Sequence, residues 1–157
     1  PVAPSGPPVT QAPAPDYTLQ IGELKRRLAS NPNDVGLLVQ LGNTYFDSNM
    51  YPESIEAYEK ALALRPGNPN VLTDLGVMYR RNGRSDEAVK RFRMAMEADP
   101  NHPQSRMNLG IVLFYDLKDP VGARAALQDL LRVAPQGPQA ESARQLLAQI
   151  EAMLQQK

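Results

Sequence analysis

Apolar residues along this chain fall into a stripe that returns at a fixed step. Leu38, Leu41, Gly42 and Tyr45 stand at i, i+3, i+4 and i+7, one face of a helix at ~100° per residue. Thirty-four residues on, the same places hold Leu72, Leu75, Gly76 and Tyr79, and after a further equal step Arg106, Leu109, Gly110 and Leu113. Each stripe is followed by a second one. Tyr58 and Ala61 lead to Pro66, and Ala88, Phe92 and Ala95 lead to Pro100. With one extra residue placed in the turn between the helices, Ala123, Leu127 and Leu130 lead to Pro135. Self-similarity at a fixed period predicts a solenoid of helix pairs. A single pair cannot bury its own stripe, so stacked pairs must share a core.

The polar punctuation agrees with the period. Asp34 caps a first helix, and Asn68-Pro69 and His102-Pro103 start the next two with proline in the first turn. Pro52, Ser85 and Asp119-Pro120 open the second helices, and Asn82-Gly83 marks a turn between them. The predicted helices are 35–48, 52–64, 69–82, 86–98, 103–116 and 120–133. Glycine inside a helix costs ~1 kcal/mol relative to alanine. Gly42, Gly76 and Gly110 therefore imply close helix approach, with Ala61, Ala88 and Ala95 as the small residues expected to meet them.

Both ends depart from the repeat. Residues 1–15 hold six prolines and no charge, which predicts an extended, polyproline-II-like linker. Pro1-x-x-Pro4 and Pro4-x-x-Pro7 also fit a ligand for an aromatic groove. The first residue is Pro rather than Met, so a signal peptide, an anchor or another domain is expected upstream. Residues 16–30 read as an N-terminal capping helix: Asp16 caps it, and Tyr17, Ile21, Leu24 and Leu28 share a face. Gln20 and Arg27 stand where small residues would pack against a partner helix. Residues 138–157 read as a C-terminal capping helix to about 155, with Ala143, Leu146, Leu147, Ile150 and Leu154 on its apolar face.

These residues resemble the tetratricopeptide repeat family. Residues 34–67 and 68–101 match nearly every signature position, although Leu38 and Leu72 replace a frequent Trp and Ser54 a preferred Ala. Residues 102–136 form a looser third copy, with Arg106 in place of the first large apolar residue. The resemblance implies an all-α, right-handed superhelical solenoid of three helix-turn-helix repeats between two capping helices. It also implies a non-catalytic protein-binding scaffold.

Composition narrows the chemistry. The 157 residues carry no net charge, which argues against a general nucleic-acid binder. Without cysteine, disulfides, thiolate catalysis and cysteine–zinc sites are excluded. His102 is the sole histidine, so no histidine pair is available for a metal, and no isolated carboxylate pair suggests acid–base work. The glycine-rich nucleotide cradles are missing. No cofactor, catalytic residue or metal site is expected, and no apolar run reaches the ~18 residues of a membrane span.

A second stripe lies about 120° round the first helices by the same ~100° arithmetic. It holds Val39, Asn43 and Phe46, then Thr73, Val77 and Arg80, then Met107, Ile111 and Phe114. By the resemblance, this stripe lines the concave groove that takes a partner peptide. An uncovered apolar stripe of this size marks an interaction site. Self-coverage, by residues 1–15 or a second copy, is the alternative. Family members that grip a chaperone's C-terminal carboxylate use Lys, Asn and Arg at places that here hold Val39, Asn43, Asp74, Gln104 and Asn108. Only Asn43 matches, and Asp74 would repel a carboxylate.

Arg80, Arg81, Arg84, Lys90, Arg91 and Arg93 form a basic cluster offset by Asp86 and Glu87, which reads as a solvated face or a site for an acidic peptide or phosphate. Repeat pattern, Pro/Ala spacer and missing cysteine together resemble bacterial cell-envelope proteins that hang such a domain from an anchor, and a periplasmic setting is expected. The apocytochrome-holding chaperones of cytochrome c maturation have similar repeats, but the match here is to the repeat consensus. A self-associating module and a non-catalytic subunit of an envelope enzyme complex are the other readings.

Overall fold

The computed structural model describes residues 16–156. Eight α-helices and no strand occur among them. They are α1 (Tyr17–Ser30), α2 (Val35–Asp47), α3 (Tyr51–Leu64), α4 (Pro69–Arg81), α5 (Ser85–Ala98), α6 (Pro103–Ile111), α7 (Pro120–Val133) and α8 (Pro138–Gln155). Helix α6 runs on through a π turn, Val112–Asp116. Helices α2–α3, α4–α5 and α6–α7 form three antiparallel pairs, each stacked on the next. The fold is an all-α solenoid. The linker and proline-motif readings for residues 1–15 lie outside the described residues.

Local chemistry sets the helix starts. Asp34, Asn68 and His102, 34 residues apart, each turn a side-chain acceptor onto the first-turn N–H groups of α2, α4 and α6. Asp16 does the same for α1, and Asp119 for α7, where Oδ1 accepts from Gly122 N at 2.8 Å. Four prolines, Pro69, Pro103, Pro120 and Pro138, stand at the head of their helices, where a missing N–H costs nothing. The turns within the pairs share one device: Asn49, Gly83 and Lys118, at matching places, have φ of 59°, 75° and 56°.

The extra residue of the third repeat lies elsewhere than expected. Three residues separate α4 from α5, and three also separate the π turn from α7. The insertion is taken up inside the helix, where Leu117 N donates to Val112 O (3.0 Å) and Asp119 N to Leu113 O (2.8 Å). A wider turn keeps the N–H groups of Leu117 and Asp119 paired, whereas a longer loop would leave backbone groups to water.

The glycines also work differently from the sequence expectation. The groups lying over them are large side chains, Tyr58 on Gly42, Phe92 on Gly76 and Leu127 on Gly110, rather than Ala61, Ala88 and Ala95. A Cβ on Gly42 would meet the Tyr58 ring at 3.1 Å, and one on Gly110 would meet Leu127 at 2.7 Å. Phe92 and Leu127 are fully buried, each contributing about 1.5–3 kcal/mol, so the vacant Cβ makes room for core packing.

Two apolar clusters result. The larger runs from Ile55 and Tyr58 through Phe92 and Leu127 to Ile150 of α8. The smaller joins Leu24 of α1 to Leu37, Leu41, Tyr45 and Ala57, so α1 closes the N-terminal end much as α8 closes the other.

Candidate functional site

The first helices α4 and α6 approach one another and α8 lies against α6 beyond them; with α2, these helices form the inner wall. On this wall Val39, Phe46, Val77, Met107, Ile111 and Phe114 are each half-buried, their undersides packed against the main core. The structure therefore brings together the six apolar members of the sequence stripe. Aromatic neighbours widen it: Tyr51 stands 6.2 Å from Phe46, and Tyr115 packs edge-on to Phe114 at 4.8 Å between centroids.

The three polar members behave differently from one another. Asn43 is exposed, and its Oδ1 accepts from the Tyr58 hydroxyl. Thr73 is 2% exposed and its hydroxyl donates to Pro69 O of its own helix at 2.7 Å, so it is buried rather than open on the wall. Arg80 is held by two hydrogen bonds to Asp116, Nε to Oδ2 at 2.5 Å and Nη2 to Oδ1 at 3.1 Å. Asp116 lies in the π turn, 36 residues away, and no local pattern announces it.

At the C-terminal end, Met107, Ile111 and Tyr115 face Ser142, Gln145, Leu146 and Gln149 of α8 across a cleft. The Tyr115 hydroxyl, 44% exposed as a residue, donates to Gln149 Oε1 at 3.2 Å. Sequence reasoning missed both; the adjacent Phe114-Tyr115 was the available signal. At the N-terminal end, Leu19, Gln20, Glu23 and Leu24 of α1 face Gln40, Asn43 and Thr44 of α2 across an open notch. Gln20 and Leu24 precede Ser54 and Tyr58 by 34 residues, so this notch is the place of a first helix that α1 lacks.

Charge on the wall is sparse. Asp74 keeps solvent contact, yet protein surrounds it within the concavity, and this exclusion of water pushes its carboxyl up to about 6. Burial first, then the carboxylates of Asp74 and Asp47, push the Tyr58 hydroxyl above its ordinary value. The amide nitrogen of Asn108 is buried without a partner among the described residues. Of the remaining places tied to the carboxylate grip, Gln104 is exposed.

Residues singled out elsewhere have structural employment. His102 caps α6 through Nδ1, and Nε2 lies 3.0 Å from Asn70 Oδ1, linking two repeats; desolvation lowers its pKa. The basic cluster is divided: Arg84 pairs with Glu87, Arg91 with Glu59, and both lie over the Tyr79 ring at 4.6 and 5.6 Å. Among the described residues no group of metal-ligating side chains comes together, and no helix is long and apolar enough to cross a membrane.

Two sequence-family models match the chain, one described as TPR repeat over residues 42–83 and one as tetratricopeptide repeat over residues 73–141. No curated protein sequence matches it. Among solved structures, MamA superposes with a TM-score of 0.77 at 21% identity, covering 87% of this chain and 80% of that one. The first TPR domain of Spaghetti (RPAP3), bound to the HSP90 peptide SRMEEVD, gives 0.69 at 23% identity, covering 76% and 92%. The Sgt2 TPR domain from Aspergillus fumigatus gives 0.71 at 23% identity, covering 78% and 80%. Repeat period, glycine register, helix pairing and matched models agree, and the chain belongs to the tetratricopeptide repeat family.

Proposed function

We propose that this protein is a non-catalytic interaction module that holds a peptide or helix of a partner protein in its concave groove. One observation carries the reading: six apolar side chains line up half-buried on the inner wall. Their undersides complete the core and their outer faces stay open on the wall. The first RPAP3 domain, of the same fold, is seen with a peptide bound. Here the wall is apolar with Asp74 exposed on it, so the partner is not an acidic chaperone tail. It is a segment with two or three large apolar side chains.

Burying one such side chain is worth about 1.5–3 kcal/mol, but peptide ordering consumes much of the sum, so a micromolar affinity is expected. Phe46 and Phe114 are the candidate hot spots. The test selects peptides from a displayed library on the wild type. It then measures them against Phe46→Ala/Phe114→Ala, with circular dichroism confirming the fold. A loss of tenfold or more supports the groove; unchanged binding of every selected peptide removes it.

A second copy is the competing occupant, favoured by Leu19, 72% exposed beside the open notch of α1. Light scattering separates the two, since a monomer at working concentration excludes coverage by a second copy. A bacterial cell-envelope setting belongs to the same proposal, on the strength of the Pro/Ala-rich leading segment and the cysteine-free sequence. Fractionation of cells making the full-length protein tests it.

A further inference from the structure

The inner wall carries two charged side chains at its middle, and they differ in one respect. Arg80 is neutralised by Asp116 through two hydrogen bonds. Asp74 makes no ion pair with any described residue and remains exposed. It precedes Val77 by three residues on α4, so anion and apolar surface lie side by side on one helix face. Asp47, also exposed, acts with Asp74 on the Tyr58 hydroxyl and adds to the negative potential there.

We infer that Asp74 sets the specificity of the groove, and that the segment held there carries a lysine or arginine between its apolar anchors. The inference rests on the reading of the stripe as a peptide groove. A long cationic side chain matches the place in both its parts: its methylene stem lies on Val77 while its charged head reaches Asp74. A bare metal ion fits poorly, since no cluster of ligating side chains forms among the described residues. An acidic segment would meet like charge at Asp74.

The experiment uses a phage-displayed library of random twelve-residue peptides, selected on the wild type, Asp74→Asn, Asp74→Lys and Phe46→Ala/Phe114→Ala, each checked by circular dichroism. The strongest lysine-bearing peptide is then synthesised with lysine or with norleucine, and its affinity is measured by fluorescence anisotropy. Wild type should enrich large apolar residues together with Lys or Arg. Asp74→Asn should weaken the lysine peptide roughly three- to tenfold and leave the norleucine peptide unchanged. Asp74→Lys should enrich Asp and Glu instead. Selected peptides without a basic bias, or equal binding of the lysine peptide by wild type and Asp74→Asn, overturn the inference. The groove survives that result if the double phenylalanine variant still loses the peptides. Peptides that bind the double variant unchanged, or no enrichment over bare support, overturn both.

Discussion

Arg106, only 5% exposed, donates from Nε to Asp129 Oδ2 at 2.5 Å, and from Nη1 to His102 O at 3.2 Å. It stands where Leu38 and Leu72 stand in the other repeats, so a guanidinium fills a core position and takes its counter-ion from α7. Taking a charge out of water costs several kcal/mol, which only good pairing offsets. Asp129→Ala should therefore destabilise by on the order of 1–3 kcal/mol in urea melts, tempered because Asp129 itself reaches water. Arg106→Leu should stay within about 1 kcal/mol of wild type or exceed it. The Arg106 guanidinium first, and Arg132 second, hold the Asp129 carboxyl below the usual range. Its folded state thus takes up a proton less readily than the unfolded chain. The pair's contribution is complete above pH ~4 and is lost as pH falls through the lower folded value. The acid limb should be shallower in Arg106→Leu.

Two glycine substitutions should move stability in opposite directions. Gly76→Leu drives a side chain into the buried Phe92 ring and should cost on the order of 1–3 kcal/mol or more. Gly22, inside α1, would meet nothing within 4 Å, so Gly22→Ala should add up to ~1 kcal/mol of helix propensity. Thermal melts of both variants against wild type check the pair.

How much of this was legible in the sequence depended on whether the chemistry was local. Caps such as Asp34 and Asn68 bond to N–H groups two or three residues away, so their function follows from the string itself. Periodicity likewise put Val39, Val77 and Ile111 on one wall. It could not tell which side chain leans over a glycine, because that depends on the rotamer and tilt of the opposing helix. Counting revealed an extra residue between Leu113 and Pro120 without locating it, since a loop and a π turn have the same length in sequence. Thr73 and Arg80 fit the stripe by angle, but the burial of one and the other's acceptor 36 residues away are tertiary facts.

Lys118 occupies the left-handed place that Gly83 fills in the second repeat, with φ of 56°. An L side chain there is strained by roughly 1 kcal/mol. Lys118→Gly should raise the melting midpoint by the equivalent of about 0.5–1 kcal/mol, even though the exposed bond from Nζ to Tyr115 O (2.7 Å) is lost. A lower midpoint would show that this bond, rather than backbone conformation, governs the turn.

Asp74 should leave a signature in the pH dependence of stability. Its folded carboxyl titrates at about 6, against ~3.9 for an ordinary Asp. Between these values the folded state binds the proton more readily than the unfolded one, so Asp74 costs stability above pH 6 and the cost fades toward pH 4. Asp74→Asn should melt higher than wild type at pH 7.5 and with it at pH 4. The gap should be modest, because water still reaches the carboxylate.

A groove built from identical units has an inherent ambiguity: a ligand displaced by one unit meets nearly the same surface and gains nearly the same energy. Here the side chains already differ between units, with Thr73, Asp74 and Arg80 in the second, and the π turn at Val112–Asp116 adds a difference of backbone. Up to Ile111 the wall keeps the spacing of the preceding repeats, and beyond it the helix is wound wider. Asp116, inside that widened turn, reaches back to fasten Arg80. Translation along the groove therefore changes what a bound segment meets. One inserted residue gives the repeating surface a distinct end.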